Sequence, residues 1–318
     1  MNKKWECYQV DENKVEDLVK NYHLNEILAK ILVNKNLTKK EDIELFMNPT
    51  RKDFHDPFLM PDMEITVDRI LKAIDNKEKI IIYGDYDADG ITSITVLKSF
   101  LEERGLEVSS YIPNRLDEGY GLNKEAIKKI YDEGYRLVIT VDCGISGIDE
   151  IEYANSLGIE TLITDHHEPA EMLPNALAVV DAKRKDNKYP FNQLAGVGVV
   201  FKLIQAISIK LNLEEKEYLK YLDIVCIGTI SDIVPLVDEN RVIAKLGLKL
   251  IAQTKNIGLK ALLEVIGFKE IDSTAVSFGV APRINACGRM GNEQVALDLF
   301  LSKDYEEAKK LALKLNEY

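Results

Sequence analysis

Two periodicities alternate along the middle of the chain. Segments with apolar residues three and four apart, the spacing of a half-covered helix, give way to short runs that are apolar at nearly every position and rich in Ile and Val, as in strands covered on both faces. This pattern predicts helices over 65–76, 91–104, 123–133 and 148–157, and strands over 79–83, 107–112, 137–141, 160–164 and 177–180. Regular alternation of this kind builds a parallel, doubly wound α/β sheet. After Asp181 the strand candidates cease, and "AGVGVVFKLIQAISIKL", "KEYLKYLDIVCIGTI", "NRVIAKLGLKLIAQ" and "LKALLEVIG" all carry helical spacing. The expected organisation is an N-terminal helical preface (1–64), a parallel α/β core (65–182), a helical second half (183–302), and a last amphipathic stretch (303–318) that begins a helix leading to another domain.

The predicted strand ends gather the chemistry. In an open parallel sheet ligands bind beyond the carboxyl ends of the strands. Here those ends read "YGDYDADG", "YIPNRLDEGYG", "VDCGIS" and "TDHHEP". The first places Asp85, Asp87 and Asp89 two residues apart. Carboxylates about 4 Å apart repel by roughly 4 kcal/mol at an effective dielectric near 20, so the cluster needs a cation, bound protons or diverging side chains. The spacing matches the first half of an EF-hand loop, but its twelfth position is Val96 where a bidentate Glu is required, and a β-branched run precedes it.

Two of the four histidines, His166 and His167, stand side by side. Neighbouring side chains of an extended segment point opposite ways, which predicts that His166 faces a metal together with Asp142 while His167 faces substrate or moves a proton. Carboxylates with one or two imidazoles suit Mn²⁺ or Mg²⁺ better than structural zinc. Two ions would clamp the attacking and leaving oxygens of a displacement at phosphorus, with Asp142 as the bridging candidate. Asp232, in "GTISDIVPL", reads on its own as a solvated group at a helix end. In "APRINACGRMG", Arg283, Asn285 and Arg289 suit phosphate oxygens, or else belong to an ordinary surface loop.

Composition narrows the possibilities. At 46% hydrophobic and 30% charged, 318 residues suffice for one large α/β domain or two lobes. No apolar run approaches a membrane span and the first residues lack the apolar core of a signal peptide, so the expectation is no membrane association and a cytoplasmic setting. Cys7, Cys143, Cys226 and Cys287 are scattered, which argues for buried small side chains over a disulfide framework or a zinc ribbon. A net charge of −12 gives no general affinity for polyanions. Trp5 is the single Trp and the Tyr and Phe residues fall mostly in apolar patterns, so stacking surfaces are expected to be scarce. The one short basic cluster is "DAKRKDNK", Asp181 to Lys188.

Taken in order, "GDYDADGITS", "PNRLDEGYGLN", "VITVDCGIS", "LITDHHEP", "LAGVGVVFKL", "GTISDIVPL" and "PRINACGRMG" resemble the motifs of the DHH phosphoesterase superfamily, whose Asp-His-His stands here at Asp165-His166-His167. Tyr83, where small-molecule branches carry a His, favours the superfamily's single-strand-specific exonuclease branch. The resemblance implies metal-dependent hydrolysis of single-stranded DNA from the 5′ end to mononucleotides, with two Mn²⁺ or Mg²⁺ ions. It implies Asp87, Asp89, Asp142, His166 and Asp232 as ligands, and Asp85 and Asp165 as alternate ligands or supports behind them. His167 is implied as a catalytic or phosphate-contacting group, with Asp142 and Asp165 beside it in the catalytic set, and Arg115, Arg283, Asn285 and Arg289 as phosphate contacts. It further implies that a DHHA1 domain and an OB-fold, of which nothing is seen up to Tyr318, complete the DNA groove, and that a single-strand-binding protein or a helicase is a partner. The alternatives are a phosphodiesterase of short oligonucleotides or cyclic dinucleotides, and a non-catalytic scaffold; the scaffold predicts lost ligands, and all of them are present.

Overall fold

The computed structural model describes residues 6, 8–115 and 117–318 of the chain, so Trp5 and Cys7 lie outside the described residues. It divides into two compact units, Met1–Asp53 and Phe54–Tyr318. The first holds α1 (Glu12–Tyr22), α2 (Glu26–Asn34) and α3 (Lys40–Met47) around Val15, Leu18, Ala29, Leu32 and Ile43. The apolar spacing runs straight through its first two helices. The break falls where His23 turns left-handed (φ 52°) and the Asn25 side chain caps the next helix by accepting from the Ile27 N–H.

The second unit carries the sheet. Its elements run α4 (Met63–Asn76), β1 (Ile80–Gly84), α5 (Ala88–Glu102), β2 (Val108–Tyr111), α6 (Lys124–Asp132), β3 (Leu137–Val141), α7 (Ile148–Ser156), β4 (Glu160–Thr164) and β5 (Ala178–Val180). All five strands are parallel in the order β2-β1-β3-β4-β5. The alternation of side chains along each strand divides the core between two faces. Ile80, Ile82, Leu137 and Ile139 pack on the side of α4 and α5, whereas Ile81, Tyr83 and Val138 pack with Ala126, Ile130 and Ala154 of α6 and α7. Both faces are therefore covered, which is why the central strands show no polar alternation. β1 and β3 are neighbours whose crossovers leave in opposite directions, so the crevice of this sheet opens between their carboxyl ends.

The second half is helical, as expected: α8 (Gly196–Lys210), α9 (Lys216–Leu219), α10 (Leu222–Ser231), α11 (Asp238–Ile251), α12 (Ile257–Ile266), α13 (Ser273–Ala275), α14 (Ala281–Arg289), α15 (Glu293–Leu301) and α16 (Tyr305–Glu317). A single π-helical turn, Val276–Val280, joins α13 to α14, so "APRINACGRMG" is mostly helix rather than surface loop. Cys143, Cys226 and Cys287 are buried and unpaired. A polar network ties α8 to α11. The Lys202 ammonium, fully buried, meets the equally buried Glu239 carboxylate at 2.8 Å and donates to the His55 carbonyl at 2.7 Å. Glu239 also accepts from the His55 N–H and the Tyr189 hydroxyl. Among the described residues no helix is long and apolar enough to cross a membrane.

Candidate metal centre

The turn after β1 employs its three aspartates in three different ways. Asp85 Oδ1 accepts from the Tyr86 N–H at 2.8 Å. Asp87 Oδ1 accepts from the Asp89 and Gly90 N–H groups and thereby caps α5, which starts at Ala88 inside the motif, three residues before the predicted start. The Asp89 carboxylate accepts from the Gly196 and Val197 N–H groups at 2.6 and 2.8 Å, at the N-terminus of α8. A helix beginning there is incompatible with an EF-hand loop. Gly90 is required for the turn, since a Cβ at that position would lie 2.3 Å from the Asp85 carbonyl oxygen.

Asp142 follows β3 in the left-handed region (φ 58°) and is buried. Gly196 makes room for it: a Cβ on Gly196 would lie 2.6 Å from Asp142 Oδ1. That oxygen is buried and accepts no hydrogen bond, although His166 Nε2 is 3.1 Å away. A buried carboxylate oxygen with an imidazole nitrogen beside it and no donor aligned on it is the arrangement expected of two ligands facing a shared cation.

The segment after β4 corrects the premise used to separate the two histidines. Asp165 Oδ1 accepts from the His166 N–H (2.7 Å), the His167 N–H (3.1 Å) and His167 Nδ1 (2.7 Å), while Oδ2 accepts from the Ile145 N–H (2.9 Å). This clasp curls the chain, so 166–167 is not extended and the two rings lie on the same side with centroids 4.4 Å apart. Both imidazoles come within reach of Asp142. Asp165 spends its oxygens on the clasp, which leaves His167 Nε2 facing outward, 3.3 Å from the Tyr120 hydroxyl. Tyr120 was missed from the sequence, where only Arg115 was singled out of "PNRLDEGYGLN".

Asp232 caps the end of α10 and reaches His166, Oδ2 to Nδ1 3.7 Å, so it is not merely a solvated helix end. Three overlapping sets of donors result, each within 4.8 Å: Asp85, Asp87 and Asp142; Asp142, His166 and His167; Asp89, His166 and Asp232. Asp142 and His166 are the shared members, and two ions side by side fit this layout.

Burial, and after it the charge of Asp87, pushes Asp85 and Asp89 up to about 7. Burial followed by Asp89 raises Asp232 to about 6, and burial with Asp89 and Asp87 raises Asp142 well above the usual carboxylate range. These are carboxylates that would take up protons unless a cation were supplied. Asp165 differs: burial works to raise it, but the bond from His167 and the backbone donors hold it below the usual carboxylate range. The same bond raises His167, while burial lowers His166 against the pull of Asp232. An oxygen-rich set with imidazole and no thiolate suits Mg²⁺ and Mn²⁺.

The phosphate candidates separate. Asn285 Oδ1 accepts from the Ala88 N–H at 2.9 Å, and Gly288 lets α14 approach the same turn, since a Cβ there would lie 2.3 Å from the Tyr86 carbonyl oxygen. Arg289 and Arg115 both act on Tyr86 electrostatically, and the Arg115 guanidinium lies 5.3 Å from its ring centroid. Arg283 is turned elsewhere: it donates to Asn316 Oδ1 and the Gly279 carbonyl, because on a helix it stands about 200° from Asn285. The basic cluster at 181–188 is partly neutralised by acids within and outside it, with Arg184 bound to Asp186 and Asp62 and Lys183 beside Glu168.

Strand order, acid cluster and Asp-His-His together define the class. Residues 79–229 match the DHH family, N-terminal domain, so the chain carries a DHH-family domain. Over 316 residues the chain is 43% identical to the single-stranded-DNA-specific exonuclease RecJ of Bacillus subtilis (strain 168), covering 99% of this chain and 39% of that protein. Its fold is similar to the crystal structure of RecJ in complex with Mn²⁺ from Thermus thermophilus, with a TM-score of 0.82 at 30% identity over 96% of this chain and 44% of that one. It is also similar to a crystal structure of exonuclease RecJ bound to manganese, with a TM-score of 0.76 at 35% identity over 81% and 65% of the two chains. The chain spans between 36% and 52% of the length of the curated relatives it matches.

Proposed function

We propose that this chain carries the catalytic centre of a metal-dependent exonuclease that hydrolyses single-stranded DNA from its 5′ end to mononucleotides. The observation that carries the reading is that Asp85, Asp87, Asp89, Asp142, His166 and Asp232 fall in overlapping donor sets linked through Asp142 and His166, with one oxygen of Asp142 buried and accepting no hydrogen bond. In this reading those six side chains hold two Mn²⁺ or Mg²⁺ ions. Divalent ions in such a set supply positive charge to both the attacking and the leaving oxygen of a displacement at phosphorus. Asp165 fixes the ring of His167 through Nδ1, so that Nε2 is the atom presented to substrate for proton transfer or a phosphate contact. Arg115, Asn285 and Arg289 orient the phosphate, and Tyr120 sets the resting position of the His167 ring. A long track of backbone contacts is assigned to the additional length found in the relatives, where DHHA1 and OB-fold domains would complete the groove, and a single-strand-binding protein or helicase would deliver the strand in the cytoplasm.

Asp142→Asn is the test. Calorimetry with Mn²⁺ and release of mononucleotides from a 5′-labelled single strand should both fall sharply while the far-ultraviolet spectrum is unchanged, since the substitution disturbs the donor shared by two sets. Near-normal turnover in that variant sinks the assignment. Hydrolysis of cyclic dinucleotides in preference to the oligomer would favour the small-substrate alternative.

A further inference from the structure

A groove of about 680 Å³ opens beside the metal centre, between the end of α10 and the α13–α14 segment. Its walls are apolar and exposed, where the sequence led us to expect few stacking surfaces: Ile233 is 88% and Phe278 75% accessible. Ile233 immediately follows Asp232 and holds φ +60°, a conformation that a β-branched residue adopts only under constraint. Phe278 lies in the π-helical turn. Asn285 and Arg289 line the groove, and it is Asn285 that bonds the turn bearing Asp85 and Asp87. One wall thus continues from a candidate ligand, and the polar end touches the acid cluster.

We propose that this groove seats the nucleobase of the nucleotide whose phosphate lies at the metal centre, a proposal that rests on the phosphodiesterase reading above. A base has two apolar faces and a polar rim attached to an anion. The groove offers an aromatic face in Phe278, an aliphatic one in Ile233, and Arg289 with Asn285 on the side of the phosphate. Its volume falls within the range of small-ligand sites. Apolar walls contact any base, so binding is tolerant of sequence, as digestion of an arbitrary strand requires.

The test compares a short 5′-phosphorylated dT oligomer with one carrying abasic residues at its 5′ end. Binding is read by fluorescence anisotropy in Ca²⁺ and cleavage in Mn²⁺, for wild type, Phe278→Ala and Ile233→Gly. Glycine accepts positive φ without strain, so Ile233→Gly keeps the backbone while removing the wall. Wild type should bind the intact oligomer about 5- to 150-fold more tightly than the abasic one, the range of base–aromatic stacking. Both variants should lose that preference and bind the abasic oligomer unchanged. Intact binding at wild-type strength in both variants overturns the proposal, as does an equal loss on both oligomers, which would make this face a support for the fold or for another protein surface. Cleavage of both oligomers without any base preference overturns the groove and leaves the metal-centre reading standing. Base-dependent binding through Phe278 without cleavage of either oligomer does the reverse.

Discussion

Gly196→Ala isolates the geometry of the candidate metal centre without removing a donor atom. The added methyl would lie 2.6 Å from Asp142 Oδ1, 2.7 Å from its Cβ and 2.8 Å from its Cγ. Ordinary contact distances are about 3.5–4.0 Å, so the carboxylate or the start of α8 must retreat by roughly 1 Å. Neither moves freely. Asp142 is buried at a left-handed position, and the Gly196 and Val197 N–H groups are bonded to Asp89. Overpacking of this kind costs about 1–3 kcal/mol. Alanine returns up to about 1 kcal/mol of helix propensity, so the melting temperature is a poor readout by itself. Function is more sensitive: a displacement of 1 Å can cost roughly 100-fold in rate, and disturbed ligand support about 10- to 100-fold in metal affinity. Mn²⁺ titration calorimetry and kcat/KM on a single-stranded oligomer are the assays. Gly198→Ala, two residues along the same helix, is the control, because the nearest neighbours of its methyl would be atoms of the Leu194 side chain, at 3.2 Å and beyond. Wild-type Mn²⁺ affinity and turnover in Gly196→Ala would refute the idea that Asp142 is held in place by the absence of a side chain at 196.

Two further predictions concern the polar network behind the site. Lys202→Met leaves Glu239 buried without its cation and should cost about 3–5 kcal/mol, seen as a melting temperature lower by roughly 6–20 °C; Lys202→Met with Glu239→Leu should recover most of it, and a loss below about 1 kcal/mol in the single variant would show the pair to be dispensable. His55, facing Asp238, Glu239 and Lys202, is raised chiefly by its bond to Asp238 Oδ1 at 2.8 Å, so its stabilisation is fully present below the unfolded value of about 6.5 and lost as pH rises through the higher folded value. Melting curves from pH 6 to 9 should therefore show wild type losing its advantage over His55→Gln across that window, and a constant difference would remove His55 from the account.

The sheet was legible because its physics is local. Ile80-Ile81-Ile82 and 137–141 are covered on both faces, and only apolar β-branched runs satisfy that condition over a few residues. Their carboxyl ends were legible for the same reason: a buried run that stops abruptly in acids must present those acids at the sheet edge. What local pattern could not supply was side-chain direction past the strand ends. The separation of His166 from His167 assumed an extended chain, and the assumption failed because Asp165 folds the backbone onto its own carboxylate. Arg283 and Asn285 read together as one phosphate-binding pair until the segment proved helical, which turns residues two apart to nearly opposite faces.

The deeper gap lies in the glycines. Gly196 and Gly288 look like ordinary helix residues in the sequence, yet each stands where a Cβ would strike the turns that carry the candidate ligands, on Asp142 and on the Tyr86 carbonyl. The donors come from residues 85–89, 142, 166–167 and 232, and no spacing rule joins segments so far apart. What joins them is the close approach of α8 to the loop after β3 and of α14 to the turn after β1, and in a sequence that approach is recorded only as a missing side chain. A glycine in the first turn of a helix that the chain folds back onto a cluster of acids is thus evidence of contact, and it becomes readable once the topology states what lies opposite. The exposure of Phe278 and the left-handed Ile233 belong to the same kind of information. Apolar patterning in the sequence marks neither as exposed, and only the course of α10 and the π-helical turn leaves them lining the groove.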